Sequence, residues 1–261
     1  MFDLAAMEAS LVGSAFAGKL HFTKLTGSTN TDATEAARAG APHGSVYFAD
    51  EQRSGRGRGD NTWHSASGEG LYVSILLRPA LPAARLPFLP LSAGLAAAAA
   101  IRTTTGLNVD LRWPNDLLIG ERKAGGILVE SKTEGAAAAF IVVGIGINVH
   151  QCEFDAGLAT PATSLDMETN RRNSRQSLLV ALLKSLKNET SRLQEPTAVA
   201  AVPERLRHAS TWIFGRRVDV HGPQACTGIT AGLDAHGFLL VQTDKGVVTV
   251  QTGGIRAAQI G

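Results

Sequence analysis

The chain has 261 residues and a formal net charge of +2, which excludes a polybasic nucleic-acid coat and an acidic tail. Hydrophobic residues make up 44% and charged residues 18%, a composition typical of a globular protein rather than a disordered one. Glycine is enriched: the 28 glycines are about 11% of the chain, against an average near 7%. Glycines matter when they cluster, because a backbone without side chains can approach a ligand closely.

The first segment, residues 1–19, is rich in alanine and predicts a helical lead-in. It carries Asp3 and Glu8 without a basic start, so it does not fit a secretory signal. Cys152 and Cys226 lie far apart without Cys-x-x-Cys spacing, which argues against disulfides and a zinc knuckle. No apolar run approaches the ~20 residues of a membrane helix. The sequence therefore predicts a cytoplasmic protein with reduced thiols.

Helical and strand patterns alternate through the middle of the chain. In chain order they predict a helix after Ser28-Thr29-Asn30, strands at 45–49 and 71–77, a helix at 85–103, an extended segment at 109–112, strands at 117–119, 124–130 and 140–147, and a helix at 176–193 capped by Asn173 or Ser174. Residues 51–70 and 148–175 lack periodicity. The first of these is a Gly-rich loop of a length that is usually functional.

The pattern changes after Trp212, where short strands are predicted at 218–220, 226–231, 238–243 and 247–251 between Gly-containing turns. Such strands indicate a small barrel. We therefore expect three parts: a lead-in helix (1–19), a catalytic domain (20–212) and a C-terminal β-barrel (213–261).

The Gly-rich loop alternates glycine with arginine in Ser54-Gly55-Arg56-Gly57-Arg58-Gly59. The alternation lets the backbone approach an anion while two guanidinium groups donate hydrogen bonds. No Gly-Lys-Ser/Thr follows, so the loop is not a Walker A motif. An RGG-like RNA tether is the alternative, but such tethers repeat many times at termini. Here the unit occurs once, between two predicted buried strands.

Two further clusters combine polar side chains with strand glycines. The first is Arg112-Trp113-Pro114-Asn115-Asp116, followed by Arg122-Lys123-Ala124-Gly125-Gly126. A Pro-containing turn and a hairpin explain part of this pattern. In addition, Lys123 supplies a cation at a strand start, and the glycines leave room for a ligand. The second is Gly144-Ile145-Gly146-Ile147-Asn148, in which glycines indicate close approach and Asn148 offers a donor and an acceptor.

In order and content these stretches resemble the biotin–protein ligases, also called biotin–[carboxyl carrier protein] ligases. The matching segments are Ser28 to Asn30, Gln52 to Arg58 followed by Trp63, Arg112 to Asp116, Arg122 to Glu130, Gly144 to Asn148, and a small terminal barrel ending in Gly253-Gly254. The resemblance covers about residues 20–261. It implies an α+β fold, with a mixed-sheet catalytic domain that resembles class II aminoacyl-tRNA synthetases and lipoate ligases, followed by a small SH3-like β-barrel.

The resemblance implies a ligase that activates biotin with ATP and Mg²⁺ to biotinyl-5′-AMP and transfers biotin to a lysine of a biotin carboxyl carrier protein or domain. Many bifunctional members carry an N-terminal winged helix-turn-helix, which residues 1–19 cannot hold. We therefore expect no operator binding and no nucleic-acid partner. Some members form homodimers, so the resemblance allows one here. The alternatives are a lipoate/octanoate–protein ligase and a non-catalytic RNA-binding protein, which the +2 charge and the single RG unit disfavour.

Site residues follow from the family match. Lys123 and Arg58 are predicted to be catalytic, contacting the carboxylate and the α-phosphate. The predicted biotin-binding residues are Ser28, Thr29, Asn30, Gln52, Arg56, Gly57, Arg58, Lys123 and Gly126. The predicted nucleotide-binding residues are Arg58, Trp63, Asn115, Asp116, Lys123 and Asn148.

Three further expectations complete the sequence-based assignment. Asp116 is the candidate ligand for Mg²⁺ and the candidate base. Arg112 and Arg122 are expected to be solvated or paired with acids, outside the site. Residues 53–66 are expected to be mobile without ligand and to fold over the reactive adenylate, shielding it from water.

Overall fold

The computed structural model describes residues 2–78, 81–134 and 137–258. A mixed seven-stranded sheet with helices on both faces precedes a five-stranded antiparallel sheet, which confirms the α+β prediction. The strands of the first sheet are β1 (Leu20–Thr26), β2 (Val46–Gln52), β3 (Gly70–Leu77), β4 (Asp110–Arg112), β5 (Asp116–Ile119), β6 (Arg122–Glu134) and β7 (Ala137–Asn148). The helices are α1 (Leu4–Ser10), α2 (Thr29–Arg38), α3 (Phe88–Thr105), α4 (Leu165–Thr169), α5 (Arg175–Arg192), α6 (Pro196–Ala200) and α7 (Val202–Ala209).

The order of strands in the first sheet is β1-β2-β3-β7-β6-β5-β4. Only the β1–β2 pair is parallel, and the other neighbours are antiparallel. All eight residues of β3 are buried, as the unbroken apolar run predicts. The central position of β3 and β7 therefore follows from their apolar sequences.

The two sheet faces are covered unequally, and strand alternation decides which side chains lie on each. On one face α3 and α5 pack over a core that includes Ile75, Val143 and Ile145. On the other face α2 packs its Ala33 and Ala37 against a smaller cluster. The face covered by α2 is only partly filled, and it carries the cavity described below.

Capping hydrogen bonds and local backbone conformation determine where the helices begin and end. The Ser174 hydroxyl accepts a hydrogen bond from the Ser177 amide and caps α5, which resolves the choice between Asn173 and Ser174. The helix predicted at 85–103 is displaced and runs over Phe88–Thr105, because residues 83–85 form a 3₁₀ turn before it. Gly106 ends α3 with a φ of 81°, a conformation that favours glycine.

Other differences involve elements too short to show periodicity. The five-residue α4, capped by Ser164, lies inside the stretch predicted to be irregular. Helices α6 and α7 follow α5 and were not predicted. The β5–β6 connection is only Gly120-Glu121, because Arg122 and Lys123 pair with Ile119 and Leu118. The loop predicted at 51–70 shortens because β2 extends through Gln52.

The C-terminal sheet contains β8 (Phe214–His221), β9 (Cys226–Leu233), β10 (Leu239–Thr243), β11 (Gly246–Val250) and β12 (Gly254–Ala257), in the order β11-β10-β9-β8-β12. The fifth strand begins at Gly254, where the sequence had indicated only a turn. Within the described ranges, no helix is both long enough and apolar enough to cross a membrane.

Candidate active site

The alternation of β7 creates the floor of the candidate site. Val143, Ile145 and Ile147 point into the large core. Gly144 and Gly146, which alternate with them, lie on the face covered by α2, where the absence of side chains lets other groups approach the strand closely. These two glycines of the enriched set thus border the candidate site.

A cavity of about 800 Å³ opens above this floor. Every residue predicted for biotin or nucleotide lines it, namely Ser28, Thr29, Asn30, Gln52, Arg56, Gly57, Arg58, Trp63, Asn115, Asp116, Lys123, Gly126 and Asn148. They come from separate stretches of the sequence, and the fold brings all of them to one place. A cavity of this size falls within the ~300–1,000 Å³ of ordinary ligand sites.

The start of α2 forms one end of the cavity. Ser28 occupies the N-cap position of α2, but its hydroxyl makes no capping hydrogen bond. The amide of Thr29 donates to Gln52 Oε1 at 2.8 Å. Ser28, Thr29 and Asn30 are all buried. This end therefore presents buried polar groups to a small ligand.

The strand glycines make room for protein side chains as well as for a ligand. A Cβ added to Gly144 would lie 2.1 Å from Asn30 Oδ1, and one added to Gly146 would lie 2.6 Å from the Trp63 ring. A Cβ at Gly125 would meet Leu117 at 2.9 Å. The expectation that Gly125 leaves room for a ligand is therefore wrong, because its missing side chain serves strand packing.

The Gly-rich loop folds back on itself above the cavity. Arg56 and Thr62 form an isolated β-bridge, and the Trp63 amide donates to Gly55 O at 2.8 Å. Trp63 lays its indole against the floor, and its buried Nε1–H has no hydrogen-bond partner within the described residues. This N–H is thus an unsatisfied buried donor, and it lies against Gly146, where an added Cβ would be 2.6 Å from Nε1.

Lys123, Asp116 and Arg112 form a charged triad beside the loop. Lys123 Nζ lies 2.5 Å from Asp116 Oδ1, and Arg112 Nη2 lies 2.6 Å from Asp116 Oδ2. Burial raises the pKa of Asp116, but the charges of Lys123 and Arg112 outweigh it and leave the pKa below its usual value. Asp116 is therefore ionised, with both oxygens paired, and is a weak base.

Arg58 is the available cation of the loop. Its guanidinium makes no ion pair within the described part of the chain, whereas that of Arg56 pairs with Glu130. Burial lowers the pKa of Arg58, but an arginine remains charged. A Cβ added to Gly254 would lie 3.7 Å from Arg58 Nη2, so Arg58 lies beside β12 of the barrel.

Asn115 and Asn148 hold the backbone of the site. Asn115 Nδ2 donates to Ile127 O at 2.8 Å, and the Ile127 amide donates back to Asn115 O at 2.9 Å. Asn148 Nδ2 donates to Thr163 O at 3.0 Å and Lys123 O at 3.4 Å. Both side chains use their amide donors to hold the backbone. Asn148 Oδ1 also accepts from Gln151 Nε2 at 3.4 Å, and an amide oxygen has capacity for a second hydrogen bond.

The structure adds two groups of lining residues that the sequence reasoning missed. One is the segment containing Phe154, Leu158, Ala159, Thr160 and Ala162, and the other is the barrel edge containing His221, Gly222, Pro223, Thr252, Ile255 and Arg256. The first was hidden in an aperiodic stretch. It is held in place because the Lys123 amide donates to Pro161 O at 2.7 Å. For the barrel edge, the only available signal was Gly253-Gly254.

The two arginines left outside the predicted site both pair with acids. Arg122 Nη2 lies 2.8 Å from Glu168 Oε1 and is half exposed. Arg112, by contrast, lines the cavity and is buried. It also donates to Thr160 at 2.9 Å, and its guanidinium carbon lies 5.2 Å from the centroid of the Trp212 ring. Arg112 thus supports the site and contacts the start of the barrel.

Comparison with known proteins matches these features to a family. Residues 22–148 match the model of the biotin/lipoate A/B protein ligase family, and residues 213–255 match that of the biotin protein ligase C-terminal domain. The biotin protein ligase of Aquifex aeolicus, in complex with biotin and ATP, superposes with a TM-score of 0.78 at 29% identity, covering 92% of this chain and 98% of that one.

Two curated relatives extend the match over most of the chain. The bifunctional ligase/repressor BirA of Bacillus spizizenii is 31% identical over 241 residues, covering 90% of this chain and 73% of the relative. The biotin–[acetyl-CoA-carboxylase] ligase of Mycobacterium tuberculosis is 30% identical over 262 residues, covering 97% and 94%. These matches do not favour the lipoate and RNA-binding alternatives. The chain belongs to the biotin protein ligase family.

Proposed function

We propose that this chain condenses biotin with ATP to biotinyl-5′-AMP and pyrophosphate, and then transfers the biotinyl group to a lysine of a biotin carboxyl carrier protein or domain. One observation carries the proposal. Residues expected to bind biotin and residues expected to bind a nucleotide line a single cavity of about 800 Å³. The two substrates of an adenylation must meet in one enclosed space, because the reacting atoms have to approach to about 3–3.5 Å.

The α2 end of the cavity is assigned to biotin. Ser28, Thr29, Asn30 and Gln52 offer buried hydroxyl and amide groups suited to a cyclic urea head. A site whose polar groups are buried discriminates strongly, because an analogue that lacks a matching group leaves them unpaired. The neighbouring floor at Gly126 has no side chain, so the fused rings can pack close to the strand.

The first half-reaction joins two anions. A carboxylate oxygen of biotin attacks the α-phosphorus of ATP, and the bond from phosphorus to the pyrophosphate oxygen breaks. Preorganised cations must offset the repulsion. We assign this role to Arg58, which makes no ion pair with any residue that the structure describes, and to Lys123, which must exchange part of its contact with Asp116 for a substrate oxygen.

When bound, Mg²⁺ would contribute further charge neutralisation on the phosphate oxygens. Within the described residues, no group of three or more His, Cys, Asp and Glu side chains could hold a metal ion. Both oxygens of Asp116 are already paired. These residues fit an ion that arrives bound to the triphosphate, with Asp116 as the nearest candidate carboxylate.

The second half-reaction forms an amide. The carrier lysine Nζ attacks the acyl carbon of the adenylate, the bond to the AMP oxygen breaks, and a proton leaves the nitrogen. The lowered pKa of Asp116 makes it a poor acceptor for that proton. We therefore assign Asp116 to hold Lys123 and Arg112 in place, and we assign Trp63, Asn115 and Asn148 to the nucleotide.

The proposal also covers the domain division, the partners, the location and the oligomeric state of the protein. We propose the division into a lead-in (1–19), a catalytic domain (20–212) and a barrel (213–261), supported by the start of β1 at Leu20 and of β8 at Phe214. The near-neutral charge supports the absence of a nucleic-acid partner. The free Cys152 and Cys226 support a cytoplasmic location. A homodimer is consistent with the family and is testable by sedimentation.

The test is ATP-dependent transfer of radiolabelled biotin to a purified carrier domain. We expect labelling by the wild-type chain and its loss in Lys123→Ala. A parallel reaction with radiolabelled lipoate is expected to give no product. Transfer of lipoate but not biotin would refute the proposal, and wild-type adenylation by Lys123→Ala would refute the role of Lys123.

A further inference from the structure

Glu130, at the centre of β6, joins the Gly-rich loop to the biotin end of the cavity. Its carboxylate accepts two hydrogen bonds from the Arg56 guanidinium, at 2.9 and 2.8 Å. The same carboxylate accepts a third from Asn30 Nδ2 at 2.8 Å. Glu130 is thus bonded to a predicted biotin-binding residue on each side.

The chain of contacts continues from Asn30 across the sheet. Ser74 Oγ, which is fully buried, lies 2.5 Å from Asn30 Oδ1 and 2.8 Å from Thr29 Oγ1. Thr29 Oγ1 in turn lies 3.1 Å from Gln52 Oε1. Three successive oxygen–oxygen contacts therefore connect Asn30 to Gln52 through two hydroxyl groups.

The number of hydrogen atoms available to these three oxygen–oxygen contacts decides how the groups can be oriented. A carboxylate paired with a guanidinium is ionised and only accepts, so the Asn30 amide must turn its Nδ2 toward Glu130 and its Oδ1 toward Ser74. The three oxygen–oxygen contacts then have only the hydroxyl hydrogens of Ser74 and Thr29. One contact is left without a hydrogen.

A donor from the ligand can correct this deficit. Ser74 must donate to Asn30, because the Asn30 oxygen only accepts. The single Thr29 hydroxyl hydrogen can then point to Ser74 Oγ at 2.8 Å or to Gln52 Oε1 at 3.1 Å. The contact to Ser74 is shorter, and Gln52 Oε1 already accepts from the Thr29 amide, so we assign the hydrogen to Ser74. Thr29 Oγ1 and Gln52 Oε1 then remain as two acceptors at the cavity wall. Two close oxygens without a hydrogen between them repel each other, and a ligand N–H placed against them removes that penalty.

If residue 130 were uncharged, the site would no longer need a hydrogen-bond donor from the ligand. If Asn30 were free to turn its amide over, its Nδ2 would donate to Ser74 and supply the missing hydrogen. The Thr29 hydroxyl could then donate to Gln52. A neutral partner at position 130 permits this reversal, because a glutamine amide can donate to Asn30 Oδ1.

We propose that Glu130 is a positioning residue for biotin recognition. Through Asn30 and Ser74 it fixes the direction of the hydrogen bonds so that Thr29 and Gln52 present acceptors to the N–H of a cyclic urea. This inference rests on the proposed function and deepens it, because it names the group that makes the site demand a donor from its ligand.

An ordinary surface ion pair is the competing explanation. The side chains of Arg56 and Glu130 are 43% and 35% exposed, and pairs with such exposure contribute little to stability. That explanation predicts no effect on ligand choice. The chain offers a matched control in Arg205 and Glu189, a bidentate pair between α7 and α5 with contacts of 2.7 and 2.6 Å, outside the cavity.

The experiment measures equilibrium binding by calorimetry, without ATP or carrier. The ligands are biotin and its two cyclic carbamate analogues, each with oxygen in place of one ureido N–H. For the wild type we expect at least one analogue to bind about tenfold or more weakly than biotin, because an acceptor pair is left unsatisfied. In Glu130→Gln the ratio should fall to about twofold, with weaker biotin binding overall. Glu189→Gln should retain the wild-type ratio.

Ser74→Ala provides a second test if Glu130→Gln fails to fold. It removes two of the three oxygen–oxygen contacts and frees the Thr29 hydroxyl to donate to Gln52, so the same fall in the ratio is expected. Wild-type ratios in Glu130→Gln, or in Ser74→Ala when Glu130→Gln does not fold, would overturn the proposal and leave the ligase assignment intact. Failure of the wild type to bind biotin would instead refute the proposed function itself.

Discussion

Substituting Gly144 by alanine tests whether the glycine floor exists to admit a binding side chain. A Cβ at this position would lie 2.1 Å from Asn30 Oδ1. Favourable contacts between heavy atoms begin near ~3.5 Å, so Asn30 would have to move by more than about 1 Å. Such a shift breaks its bonds to Ser74 and Glu130.

The expected cost follows from these contacts. Inserting a methyl group into a packed site costs about 1–3 kcal/mol, and losing a hydrogen bond to a charged group adds roughly 1.5 kcal/mol. The free energy of unfolding should therefore fall by about 2.5–4.5 kcal/mol. For a chain of this size each kcal/mol lowers Tm by about 2–4 °C. Biotin affinity should fall at least tenfold, because Asn30 leaves its place in the binding site.

Thermal unfolding and biotin titration calorimetry measure both effects. Gly126→Ala is the matched stability control, since a Cβ there would contact Lys123 and Trp63 at 3.5 Å, an ordinary packing distance. Its stability should stay within about 1 kcal/mol of the wild type. If Gly144→Ala melted and bound biotin like the wild type, Gly144 would not be the space that Asn30 requires.

The remaining predictions concern charge, chemistry and motion. Burial raises the pKa of Asp116, but Lys123 and Arg112 leave that pKa lowered overall. The Asp116 carboxylate therefore contributes its full stabilisation of the folded state above the unfolded pKa of about 3.9. This stabilisation is lost as the pH falls through the lower folded pKa. Urea unfolding at pH 7 should therefore show that Asp116→Asn costs about 3 kcal/mol, a gap that narrows as the pH falls below about 3.9; a gap that stays constant as the pH falls would contradict this. Lys123→Ala should slow pyrophosphate release about 10²–10³-fold in a single-turnover assay, with biotin binding much less affected. Hydrogen exchange in residues 53–66 should slow when biotinyl-AMP binds, and equal rates would count against a shielding role.

Local sequence was sufficient for most of the fold. The apolar runs of β3 and β7 specify central strands, and the leucine spacing of α5 specifies a core helix. Helices α4 and α6 have five residues each, too few for a periodic signal. The predicted start of α3 was too early because residues 83–85 form a separate 3₁₀ turn and the α-helix begins only at Phe88, after Pro87.

The candidate site was predictable only in part. The loop, the turn and the strand glycines carry recognisable chemistry, and the predicted residues line one cavity. The side chains that pack against those glycines could not be predicted, because they depend on which face of the sheet α2 covers. Glu130 lies in a matching stretch but received no role, since its partner Arg56 is 74 residues away in sequence. The barrel edge contributes through tertiary contacts that leave little local signal.

The contacts of Arg112 have a consequence for how the molecule unfolds. The Trp212 ring contacts two guanidinium groups, that of Arg112 at 5.2 Å from the ring centroid and that of Arg216 at 3.6 Å. Arg216 also reaches back to Glu121 in the β5–β6 hairpin at 2.8 Å. Detaching the barrel would therefore uncover the cation that neutralises Asp116. The two sheets should behave as one cooperative unit and melt in a single transition rather than as independently folding pieces.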